Sequence, residues 1–185
     1  MSSNTAKKIP ASLSTTNSSS EDSIQTIVNR QSKELIIAFC GPIGSGIKAV
    51  RTAFEKNLKD LGYIVHHIHI SSLMDVVNKK QLRFSDAYDR YIEKQKQGNF
   101  LREKFGYQIM AEAAIASIAE IKEKSKPKDT SETRFTGKFA YIIDQLKNPA
   151  EVELLRLVYQ HNFYLVGVVR NESERKRNLR DEGIS

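Results

Sequence analysis

Apolar positions along the chain alternate between short continuous runs and stretches with helical spacing. Leu35 to Phe39 (LIIAF) is a continuous β-favouring run that ends in Gly41, Pro42, Gly44 and Gly46, which predicts a buried strand entering a glycine loop. Val50, Phe54, Leu58 and Leu61, spaced by four, four and three, form one face of a following helix that Gly62 stops. Tyr63 to Ile70 (YIVHHIHI) predicts a second strand, and Ser71 and Ser72 offer side chains to cap a helix from about residue 73.

Helical spacing then runs from about residue 85 to 124, where Phe105, Ile109, Met110, Ile115, Ile118 and Ile121 mark a buried stripe, core rather than a cofactor box. Gln97-Gly98-Asn99-Phe100-Leu101-Arg102 interrupts this region, with Gly98 at a bend. Residues 125–138 have loop composition. Phe139 to Ile143 (FAYII) predicts a third strand ending in Asp144. Asn148-Pro149-Ala150-Glu151 then supplies a helix start, with Asn as cap, Pro at the first helical position and Glu three residues after the cap. That helix uses Val152, Leu155 and Tyr159. Phe163 to Val169 predicts a fourth strand, and Asn171 with Glu174 repeats the capping pattern for a closing basic helix. Strands that are apolar throughout, alternating with helices, argue for a parallel α/β sheet.

Composition changes this picture at the N-terminus. Residues 1–33 hold nine Ser and four Thr with few apolar side chains, too few to offset the entropy of ordering, so a disordered tail is expected there and a single domain over 34–185. Lys and Arg exceed Asp and Glu by 29 − 22 = 7, and the pI is about 9.4. That balance suits nucleotides, nucleic acids or anionic surfaces, but charges of both signs are interleaved and the partner stays open. The sequence has neither an apolar run approaching the roughly 18 residues of a membrane span nor the apolar stretch of a secretory signal near its start, so a cytoplasmic protein without a membrane partner is expected. A lone Cys40 excludes a disulfide framework and a Cys-clustered zinc site, and reads as a small buried hydrophobe.

The sharpest chemical signal is Gly41-Pro42-Ile43-Gly44-Ser45-Gly46-Ile47-Lys48 between a strand and a helix. Glycines in that position let backbone N–H groups surround phosphate oxygens, with the helix N-terminus adding positive potential; a Lys then reaches the terminal phosphates and a hydroxyl holds Mg²⁺. Here Ile47 stands at the Lys position and Lys48 at the hydroxyl position. One residue along a helix rotates a side chain by about 100°, so Lys48 is out of register for the phosphate role. Phosphate or nucleotide binding is expected, efficient phosphoryl transfer is not; a tight turn without a ligand is the bland reading.

Asp144 stands where an acid would orient Mg²⁺ or its water, or else is a loop carboxylate capping the following turn. Asn99 and Arg102 offer an amide and a guanidinium to a second ligand, or lie on a solvated helix face. The closing helix, with Arg170, Arg175, Lys176, Arg177 and Arg180, reads either as a lid over phosphates or as a surface helix paired through its interleaved acids. His67 and His69 share one strand face and His66 the other; with no Cys nearby they read as ordinary strand histidines.

Together ELIIAFCGPIGSG, SSLMDVV, QGNFLR and FAYIIDQLKNPAEVELLRLVYQHNFYLVGVVRNESERKRNL resemble the N-terminal domain of the anti-phage cytidine deaminases. In that family a P-loop, nucleotide-kinase-like domain precedes a zinc deaminase domain. The resemblance spans about residues 34–185, with IIDQLKNPAEVELLR its most specific part. It implies a three-layer P-loop α/β fold, a full-length enzyme that deaminates deoxycytidine nucleotides, and a P-loop domain that binds an NTP or dNTP, with or without Mg²⁺, and regulates the deaminase. It carries the phosphate loop onto Gly41, Gly44, Ser45 and Gly46, with the adjoining Ile47 and Lys48, the strand-end acid onto Asp144, and a polar ligand segment onto Asn99 and Arg102. Zinc chemistry needs a His/Cys-x-Glu and a Pro-Cys-x-x-Cys that this chain lacks, so zinc belongs only to a further deaminase domain or subunit. Kinase-like sheets usually add a strand after the basic helix, so the sheet is expected to be incomplete at its C-terminal end. Expected partners are a nucleotide, a deaminase domain and a second copy of the chain. The alternatives are an active nucleotide or small-molecule kinase using Lys48, and a nucleic-acid-binding module.

Overall fold

The computed structural model describes residues 33–79, 83–125 and 137–184. The expected N-terminal tail and most of the 125–138 loop lie outside these residues. Four strands, β1 (Glu34–Cys40), β2 (Tyr63–His69), β3 (Lys138–Asp144) and β4 (Phe163–Gly167), form one sheet in the order β2-β3-β1-β4. Every pairing is parallel, with Ala38 beside Ile143, Cys40 beside Gly167 and His69 beside Asp144. All four strands therefore end at the same edge of the sheet.

Alternation along β1 and β3 sends side chains to two cores. Ile36, Ala38, Tyr141 and Ile143 pack on one face with Leu101, Met110, Ala114, Ile118 and Leu155. Ile37, Phe39, Ala140 and Ile142 pack on the other with Ile47, Leu58 and Val168. The central strands are buried on both sides, which is why they read as unbroken apolar runs. The first face is covered by α2 (Ile70–Asn78), α3 (Ala87–Phe105), α4 (Ile109–Lys124) and α5 (Pro149–Tyr159), the second by α1 (Ile47–Asp60). Helices on both faces of a parallel sheet give the α/β architecture expected. No helix among the described residues is long and apolar enough to cross a membrane.

Several boundaries differ from the sequence reading for identifiable reasons. Gly98 does not bend the chain. It lies inside α3, where a Cβ would stand 3.0 Å from Met74 Cε and 3.0 Å from Arg102 Nη1, so glycine there serves close packing against α2. The break falls at Gly106, whose φ of 107° needs a residue without a side chain. Phe105, next to that break, is exposed, and so is Leu61 at the end of α1. Ser71 and Ser72 do not cap α2; it starts directly from β2 at Ile70, whose N–H donates to Asp144 Oδ1 at 2.9 Å. β4 ends at Gly167, two residues early. The cap at Asn148 is as expected, with reciprocal bonds between Asn148 and Glu151, and Asn171 accepts from the Glu174 N–H at 2.9 Å to open the basic helix α6 (Glu172–Asp181).

His66 stacks on Phe139 and Tyr141, with ring centroids 6.2 and 5.5 Å away. Burial there, and then the neighbouring His67, hold its pKa below the ordinary 6.5. Below that pH the unfolded chain takes up a proton that the folded chain resists, so stability falls as pH drops from the unfolded value toward the lower folded one. We expect His66→Phe to keep the stack and flatten the decline in urea-unfolding free energy between about pH 7 and pH 5; an unchanged slope would assign that decline to other groups.

Candidate functional site

The glycine loop joins β1 to α1 at the strand-end edge, next to the crevice between β1 and β3 where open parallel sheets bind ligands. Gly44 and Gly46 both have positive φ, 74° and 83°. Gly46 caps α1 without a side chain, so the Ile47 and Lys48 N–H groups at the start of the helix have no side-chain cap, while the Ala49 N–H donates to Gly46 O at 3.1 Å. Ser45 is 1% exposed, and its Oγ has no hydrogen-bond partner among the described residues. It is aimed into the loop, 2.9 Å from where a Cβ on Gly41 would lie.

Ile47, where a phosphate-binding loop would be expected to carry its lysine, is a core residue packed with the Phe39 cluster at 6% exposure. Lys48 points away into solvent. The side chains that do reach the loop come from the C-terminal segment, which sequence reading assigned to a lid or a paired surface helix. Arg175 Nη1 donates to Ile43 O at 3.4 Å and Asn178 Nδ2 to Gly44 O at 2.7 Å. The Arg170 guanidinium lies over Gly46, its Nη2 3.2 Å from a would-be Cβ. Arg170 is half-buried and has no hydrogen-bond or ion-pair partner among the described residues. Lys176 pairs with Glu172 one turn away, the ordinary helix pairing.

Asp144 is heavily engaged. Its Oδ2 accepts from Arg51 Nη1 at 3.1 Å and lies 2.8 Å from His69 Nδ1, while Oδ1 caps α2. It caps not the turn that follows it but a helix from the next strand over. His66 faces the opposite side from His67 and His69, which stack with ring centroids 5.9 Å apart, His67 pairing with Glu55 and His69 with Asp144; among the described residues no group of three or more potential metal-ligating side chains exists. Cys40 is a free thiol, only half-buried.

Beside the loop opens a cavity of about 860 Å³ whose lining includes Ile43, Met74, Tyr88, Arg90, Tyr91, Asn99, Arg102, Asp144, Gln145, Lys147, Glu182 and Ile184. Asn99, Arg102 and Asp144, distant in sequence, therefore meet at one cleft that touches the glycine loop through Ile43. Gln145 takes a left-handed φ of 49° at the end of β3 and lines the cavity with Tyr91 of α3. Burial, then the charge of Glu182, hold the Tyr91 pKa above its ordinary value. The protein around Lys147, and then Arg102, lower that amine's pKa although its side chain opens toward the cleft.

Arg102 is the least free of the predicted ligands. Its Nε and Nη2 reach Glu151 Oε1 at 2.8 and 2.7 Å, and Glu151, 0% exposed, also accepts from the Lys147 and Asn148 amides through Oε2. Sequence reading found the capping role of Glu151 but not its second partner. It also missed Arg51 and Lys147, and it counted Arg170 in the closing helix, whereas Arg170 precedes that helix and lies over Gly46.

Glu151→Ala leaves a buried guanidinium unpaired and removes the cap, so unfolding free energy should fall by about 3–5 kcal/mol in urea titrations. A loss under about 1 kcal/mol would mean that Arg102 finds another partner. Gly41→Ala places a methyl group 2.4 Å from Val168 O, a backbone atom, and should cost about 1–3 kcal/mol by the same measurement.

No protein-family model and no curated protein matches the chain.

Proposed function

We propose that this chain is a nucleotide-binding, P-loop-type domain that binds and reports a nucleoside phosphate rather than turning it over, as the regulatory part of a deoxycytidine nucleotide deaminase. One observation carries the binding reading: the glycine loop, with its uncapped helix N-terminus and orphaned Ser45 hydroxyl, adjoins a nucleotide-sized cavity at the switch point of a parallel sheet. First-turn amides of α1 would meet phosphate oxygens. Tyr88, Tyr91 and Met74 give the cavity apolar surface for a base or sugar, and Asn99 an amide for its polar edge.

Turnover is disfavoured by the same residues. Phosphoryl transfer depends on a cation placed on the terminal phosphates and on the metal that neutralises developing charge. Ile47 is in the core, Lys48 is in solvent and Asp144 is already paired. The deaminase setting rests on the resemblance of the chain, and its zinc chemistry would be supplied by another domain or subunit.

Titration of the protein with dCTP, dCMP, ATP and GTP should show binding to at least one, raising the thermal midpoint; a ligand at about 100 times its Kd adds roughly 2.7 kcal/mol of stability. No γ-phosphate transfer is expected. If no nucleotide binds at millimolar concentration the reading fails, and steady transfer lost in Lys48→Ala would establish the kinase alternative instead. Gly44→Asp is a poor probe, because a Cβ there meets Arg175 O at 2.5 Å and would displace α6 whether or not a phosphate binds.

A further inference from the structure

We infer that the glycine loop takes its polyphosphate without Mg²⁺, with the Arg170 guanidinium supplying the cation at the loop and Arg51 silencing the acid that would otherwise hold the metal. This inference rests on the proposal that the loop is the phosphate site, and it names the form of the ligand: a metal-free nucleoside polyphosphate.

The donor set does not suit Mg²⁺. That ion demands near-octahedral oxygen ligands and in nucleotide sites is held by one or two carboxylates or hydroxyls together with the phosphates. Asp144, the strand-end carboxylate beside the loop, has one oxygen shared between Arg51 and His69 and the other on the Ile70 amide. The residue standing where the motif needs a hydroxyl is Lys48, a cation. Three of the roughly four lone-pair positions of Asp144 are thus taken, and a metal there would sit against the Arg51 guanidinium and compete with it for the carboxylate.

The charge that a metal and a lysine would bring is present in another form. Arg170 comes from the segment after β4, and its guanidinium rests on Gly46 with no anionic partner among the described residues. A guanidinium offers several N–H donors in a planar fork that matches phosphate oxygens two at a time. Ser45 Oγ, buried and unpartnered, adds a further donor from inside the loop. Arg51 lies one helical turn beyond Ile47 and cancels the charge of Asp144, which would otherwise repel a metal-free polyphosphate. Without that pairing, the carboxylate would favour a bridging cation.

The test is isothermal titration of the whole chain with dCTP, ATP and inorganic tripolyphosphate, each in excess EDTA and in excess MgCl₂. Affinity in EDTA should equal or exceed that in MgCl₂. Arg170→Ala should lose roughly tenfold to a hundredfold, with Arg170→Lys recovering part of it. Arg51→Gln should reverse the metal effect, weakening binding in EDTA and making MgCl₂ favourable, a signature that a misfolded variant cannot produce. Binding only in MgCl₂, or Arg170→Ala binding as wild type does, overturns the inference and leaves nucleotide binding intact. Absence of binding under both conditions overturns the nucleotide reading and the inference with it.

Discussion

The carboxylate of Asp144 is the constraint on which the strand-end edge of this sheet depends. β2 runs into α2 with no residue between them, His69 ending the strand and Ile70 opening the helix. A helix that begins so abruptly cannot place its own capping side chain at the start, and a buried helix end without acceptors is costly. The acceptor comes from the neighbouring strand, because the parallel register sets Asp144 beside His69. The remaining oxygen then draws Arg51 from the helix on the other face of the sheet. A single side chain thus ties β3 to β2, α1 and α2, and fixes α1, whose N-terminus is the glycine loop, relative to the cavity.

Once α1 is fixed, the loop is shaped from its far side by the C-terminal segment. Val168 O stands where a Cβ on Gly41 would go, and Arg175 O where one on Gly44 would go. These glycines therefore have a packing reason that would hold with no ligand at all. The same contacts are also selective. Arg175 and Asn178 donate to the loop carbonyls of Ile43 and Gly44, while Arg170 lies over Gly46 at the helix N-terminus. Carbonyl oxygens, which would repel a phosphate, are turned toward α6 and satisfied there. The side that carries the helix amides keeps its positive potential, with a guanidinium added to it.

What could be read in the sequence follows from where each interaction originates. β1 and β3 were legible because burial on both faces leaves continuous apolar runs, and the start of α5 because a capping box lies within four residues. The glycine loop was legible as a turn between strand and helix. α3 was not read correctly, because the face it buries includes Gln97, Gly98 and Arg102, residues that composition assigns to a surface or a break. Arg102 can be buried only because Glu151, a residue of another helix, meets it. Arg51 and Asp144 are 93 positions apart, so local spacing gave no sign that they pair. Arg170 was read as one charge of a basic helix, but it lies just before that helix, where the chain leaves β4 and crosses the loop.

The cavity inherits its electrostatics from this arrangement. Glu151 neutralises Arg102 while using its second oxygen on backbone amides, so the pair forms a wall and leaves little free charge for a ligand. Lys147, one residue before the cap, stands against that wall with its pKa lowered, by the protein around it first and by Arg102 second. Those two causes respond differently to an anion in the cleft. Packing around the amine would remain, whereas a nearby negative charge would oppose the repulsion from Arg102 and favour the protonated amine. The Glu151 carboxylate already opposes both by favouring the protonated amine, so the Arg102–Glu151 pair acts on Lys147 in two directions and an anion in the cleft would add to the pull of Glu151.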